Sequence, residues 1–70
     1  MKIGWVDGFT IEVKVEGGAT VVISANKEGL ISLAQQLTAL AYESSGSHIH
    51  YDAYNSLEEG SVEMIVEKKG

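Results

Sequence analysis

Apolar and polar residues alternate at two different periods along this chain, and the change of period marks its elements. From Leu30, the apolar positions Leu30, Leu33, Ala34, Leu37, Leu40 and Ala41 follow the i, i+3, i+4, i+7 spacing of a one-sided helix. Lys27, Ser32, Gln35, Gln36 and Thr38 fall mostly on the other side. Asn26 suits the N-cap, Glu28 in the first turn complements the helix dipole, and Ser44-Ser45-Gly46 ends the element. Gly29 costs a helix roughly 1 kcal/mol against alanine, and no local pattern accounts for it. This spacing predicts Leu33, Leu37 and Leu40 as the core face, each contributing about 1.5–3 kcal/mol when buried.

Elsewhere the period is two. Phe9, Ile11, Val13 and Val15 alternate with Thr10, Glu12 and Lys14, and Val21 and Ile23 alternate with Thr20 and Val22. A three-residue loop Glu16-Gly17-Gly18 pairs Val13 with Val21 and Ile11 with Ile23, keeping both apolar sets on one face, whereas a two-residue loop would not. Lys2 to Val6 meets Phe9 across Asp7-Gly8, which predicts another hairpin with Val6 and Phe9 facing the core and Ile3 and Trp5 facing away. After the helix, Ser47 to Asp52 reads as a strand with Ile49 and Tyr51 on one face and His48, His50 and Asp52 on the other. Residues 53–60 form a polar connection, where Ser56 and Glu59 have capping-box spacing for a single helical turn ended by Gly60. Ser61 to Glu67 completes the set, with Val62, Met64 and Val66 inward. The expected order is β-β-β-α-β-β: an α+β fold with a mainly antiparallel sheet, one helix packed on one face, and an open opposite face.

The 70 residues fit one small domain, 1–70, whose 44% hydrophobic and 21% charged content is globular. With no cysteine, disulfides and thiolate sites are excluded, which fits a reducing cytoplasm. No apolar run approaches the ~20 residues of a membrane span, and Met1 to Val6 lacks a signal-peptide core. The net charge of −5, with no arginine, argues against nucleic-acid binding. The acids are unevenly placed. Residues 43–67 hold six of them (Glu43, Asp52, Glu58, Glu59, Glu63 and Glu67) and no lysine or arginine, so this stretch would attract a basic partner.

His48-Ile49-His50-Tyr51-Asp52 has the outline of a metallohydrolase signature, but Ala53 stands where a further histidine is needed. Along a strand His48 and His50 lie ~6.6 Å apart and Asp52 ~13 Å from His48. A closed zinc site needs four ligands, and the chain has neither cysteine nor a third histidine. Two polar residues on a solvated sheet face explain the pair better than a metal. The serines lack a Gly-x-Ser-x-Gly elbow, and Gly17-Gly18 lacks the rest of a phosphate loop. The expectation is a protein that is not an enzyme, with no catalytic residues, no metal and no cofactor.

Two segments, ISANKEGLISLAQQLTALA (23–41) and GSHIHYDAYNSLEEGSVEMIVEK (46–68), cover 42 of the 70 residues. Together they resemble immunity protein family 32 of bacterial polymorphic toxin systems. The specific parts are Ser-Ala-Asn-x-Glu-Gly-Leu and Gly-Ser-His-x-His-x-Asp followed by Asn-Ser-Leu-Glu-x-Gly-Ser. The resemblance implies a small α+β domain that neutralises a toxin made by the same or a sibling cell. A catalytically empty acidic domain suits that task through electrostatic complementarity. The expected partner surface is Asp52, Glu58, Glu59 and Glu63 with His50 and Asn55 as hydrogen-bonding neighbours. A nuclease toxin would offer it a basic substrate cleft. Two alternatives stand beside this reading: a small metal-binding domain using His48 and His50, and a homodimer built on Ile3, Trp5 and Val22.

Overall fold

The chain reverses at Gly17 and Gly18, whose φ angles of 61° and 74° lie in the left-handed region that glycine enters without steric cost. In the computed structural model, which describes residues 3–70, this turn joins β1 (Ile11–Glu16) to β2 (Thr20–Ala25). Helix α1 (Lys27–Ala41) follows, then β3 (His48–Tyr51) and β4 (Met64–Glu67). The fold is small α+β in the order β-β-α-β-β, with β1-β2 and β3-β4 each an antiparallel pair.

In the first pair Ile11 faces Ala25, Val13 faces Ile23 and Val15 faces Val21. The expected parity holds, but the register lies two residues away, because Gly17, Gly18 and Ala19 form the loop. A turn with two successive positive φ angles must start on the glycines, so Glu16 stays in the ladder opposite Thr20. On its outer edge, β1 meets residues 58–62. The Glu58 amide donates to the Ile11 carbonyl (2.8 Å) and the Val62 amide to the Val13 carbonyl (2.9 Å). That use of residues 58–62 is why the last strand begins at Met64 rather than Ser61, and why two hairpins replace one sheet. The outer edge of β2 has no strand partner among the described residues.

The expected first strand does not form over residues 3–6, and Lys2 lies outside the described residues. Its turn does form: the Phe9 amide donates to the Val6 carbonyl at 3.1 Å. Beyond the turn, helix side chains take the backbone groups that a ladder would have used. Ser32 Oγ accepts from the Val6 amide (2.9 Å), and Gln36 Nε2 donates to the Gly4 carbonyl (2.7 Å). Asn26 accepts from the Thr10 amide at 2.9 Å and donates to the Gly8 carbonyl at 2.8 Å. Residues 4–10 are thus strapped to α1. The strap turns Trp5 inward, where it stacks on Phe9 (4.3 Å between ring centroids) and meets Tyr51 edge-on (6.2 Å). This corrects the outward placement of Trp5.

Asn26 caps α1 as expected, accepting from the Gly29 amide at 2.8 Å. The buried helix positions, however, are Gly29, Ser32, Leu33, Gln36 and Leu40, while Leu30 and Leu37 are 56% and 43% exposed. The helix is rotated from its apolar stripe by most of one residue's ~100° step. Gly29 explains the rotation: a methyl group there would collide with the Thr10 carbonyl oxygen and crowd Ala25 and Ile11. The helix start therefore presses against the backbone ahead of β1, and only glycine permits it. The core consists of Ile11, Val13, Leu33, Leu40, Ile49, Tyr51 and Leu57, flanked by Trp5, Phe9, Ala25, Met64 and Val66. Val21 and Ile23, expected inside, are 60% and 44% exposed because α1 covers only the start of the first hairpin's apolar face.

Candidate acidic interaction site

Strand parity builds the site. Along β3, Ile49 and Tyr51 are buried while His48 and His50 are exposed, as expected. In the β3-β4 ladder His48 faces Glu67, His50 faces Ile65 and Tyr51 faces Met64. One step beyond, the same register brings Asp52 opposite Glu63, on the face that carries His50. His50 Nε2 lies 3.1 Å from Glu63 Oε2 and 3.8 Å from Asp52 Oδ2. One donor atom from each of the three residues lies within 4.8 Å of the others.

Asp52 also organises the connection that follows. Its Oδ1 accepts from the amides of Tyr54 (2.9 Å) and Asn55 (3.0 Å), and its carbonyl accepts from the amides of Ser56 (3.0 Å) and Leu57 (2.8 Å). This aspartate-led turn replaces the helical turn expected from Ser56 and Glu59. It drives Leu57 into the core and leaves Tyr54 fully exposed. Asn55 closes the turn through Oδ1, 3.4 Å from the Asp52 amide. Glu58 and Glu59 are exposed in the next turn, where the Ser61 amide donates to the Glu58 carbonyl at 3.1 Å.

Four of the six expected surface residues therefore converge: His50, Asp52 and Glu63 directly, and Asn55 through the Asp52 turn. Glu58 and Glu59 follow in the next turn of the chain and take no part in the cluster. His48, paired across the sheet with Glu67, also stands outside it. An open cleft of about 400 Å³ adjoins the cluster, lined by Ile3, Trp5, His48, Ile49, His50 and Asn55. Sequence reasoning missed Tyr54; its signal was the Asp-x-x-Asn spacing of an aspartate-led turn, which lifts the intervening residues outward. Burial raises the Tyr51 phenol above its ordinary value of 10.0. Lys68, the first base after the acidic stretch, donates its ammonium to the Ala41 carbonyl, where a cation suits the end of α1.

The family model for Immunity protein 32 matches residues 20–69, well over half of the chain. The chain belongs to the Immunity protein 32 family. Neither a curated protein nor a solved structure matches it. The Immunity protein 32 match contains every residue of the acidic cluster and its bordering turn, together with α1. The N-terminal strap and β1 lie before it. Among the described residues, no helix of this Immunity protein 32 member is long and apolar enough to cross a membrane.

Proposed function

We propose that this protein binds and neutralises a cognate bacterial toxin domain through the face formed by Asp52, Glu58, Glu59 and Glu63, with His50 and Asn55 as hydrogen-bonding neighbours. The observation that carries the reading is the gathering of carboxylates, inside the family-matched stretch, on a segment from 43 to 67 with no lysine or arginine. Such a face steers a basic partner and rejects an acidic one. Where the toxin is a nuclease, the carboxylates stand in for the phosphates of its substrate. Tyr54 supplies the aromatic anchor that acidic residues alone lack, since exposed tyrosines dominate many interface cores. Binding takes place in the cytoplasm and needs no chemistry from this chain.

The test is association kinetics with the toxin domain encoded by the adjacent gene, at low and high salt. Glu58→Lys combined with Glu59→Lys should slow association and flatten its salt dependence while leaving the fold intact. Both side chains are exposed, and only the Glu58 backbone is used structurally. Association unchanged at both salt levels would refute the acidic mechanism. Absence of binding by the unmodified protein would refute the toxin-binding reading as well.

A further inference from the structure

We propose that His50, Asp52 and Glu63 form a binding site for one divalent transition-metal ion, with Zn2+ the best match. The strongest sequence-level pairing for a metal was His48 with His50, yet the fold sends His50 to a different set of partners. Its Nε2 lies 3.1 Å from Glu63 Oε2 and 3.8 Å from Asp52 Oδ2. Donors bound to zinc at about 2.0–2.2 Å with tetrahedral angles stand roughly 3.4 Å apart, a value between these two separations. An ion can therefore enter with small side-chain rotations and no movement of the strands. Glu63, 65% exposed at its side chain, has the freedom to close the remaining gap.

The donor set also selects the ion. Two carboxylates meeting at one imidazole nitrogen repel each other, and a divalent cation relieves that repulsion. An imidazole ligand favours zinc and its first-row neighbours over calcium or magnesium, which take oxygen donors. Asp52 is oriented beforehand: two backbone amides hold Oδ1, which leaves Oδ2 toward His50. Three protein ligands leave one tetrahedral position for water or for a donor from a partner.

The site shares residues with the proposed toxin-binding face but does not rest on that reading, because the metal can be titrated into the protein alone. Zn2+ titration by calorimetry, with Co2+ absorbance as a spectroscopic readout, should show one ion per chain. His50→Ala and Glu63→Gln should each weaken binding by at least roughly tenfold, the scale on which even supporting residues act. His48→Ala should leave it unchanged. Zn2+ should raise the thermal midpoint of the unmodified protein and of His48→Ala, but not of His50→Ala. The substituted side chains, His48, His50 and Glu63, are exposed, so metal-free unfolding midpoints should match and keep the comparison interpretable. Absence of saturable binding, or equal losses in His48→Ala and His50→Ala, would overturn the proposal.

Discussion

Replacing Gln36 by leucine tests whether the strap is held by the helix's buried polar row. Gln36 is 2% exposed; its Oε1 accepts from the Tyr51 hydroxyl at 2.7 Å and its Nε2 donates to the Gly4 carbonyl at 2.7 Å. Gln36→Leu leaves the Tyr51 hydroxyl buried without an acceptor, which costs about 1–3 kcal/mol. The Gly4 carbonyl, near the surface, regains water, so its lost bond costs only about 0.5–1.5 kcal/mol. The sum, about 1.5–4.5 kcal/mol, is a large share of the roughly 4–10 kcal/mol expected for a chain of this length. Adding Tyr51→Phe removes the orphaned hydroxyl, so the double variant should be more stable than Gln36→Leu alone. The assay is urea unfolding followed by Trp5 fluorescence, since Trp5 sits on the strap and contacts both Phe9 and Tyr51. A Gln36→Leu cost below about 0.5 kcal/mol, the range of ordinary surface changes, would refute the reasoning. So would a double variant no more stable than the single one.

Gly29→Ala should destabilise by about 1–3 kcal/mol or more despite alanine's better helix propensity, because its methyl group meets backbone at Thr10 rather than a yielding side chain; the urea midpoint reads this directly. Alkaline pH should also weaken the fold. Burial raises the Tyr51 phenol above 10.0, so the unfolded chain gives up that proton first. The contribution is complete below about pH 10 and is lost as pH climbs toward the folded-state value. Urea midpoints measured across that range should fall, and Tyr51→Phe should lessen the fall.

Strand parity and helix position were legible because burial on one face leaves a direct trace in residue type. Ile49 and Tyr51 inside with His48 and His50 outside follow from alternation alone. The helix face was misread because half of it is polar: Ser32 and Gln36 are buried for the backbone groups they satisfy, and hydrophobic periodicity does not register that purpose. Gly29 was the visible signal, an unexplained glycine one turn into a strong helix, and its meaning depended on a neighbour at Thr10 distant in sequence. The same holds for the acidic cluster. Each member was identifiable, but only the β3-β4 register brings Glu63 to His50 and Asp52. The strap was hidden for a related reason, since Lys2 to Val6 has strand composition while its hydrogen-bond partners are helix side chains.

The outer edge of β2, without a strand partner among the described residues, bears on how these molecules behave in a crowd. Thr20 to Ala25 offers six consecutive residues without a charge, β-branched at four of them, and two of its apolar side chains are about half exposed or more. Edges of that composition usually carry a lysine, a proline or a bulge that discourages strand-to-strand association. Here none is present in the strand, so the burden falls on the net charge of −5 carried by the molecule as a whole. Colloidal stability then depends on pH and ionic strength rather than on local sequence. Near the isoelectric point of 4.7, or in concentrated salt, the mutual repulsion fades while the open edge remains.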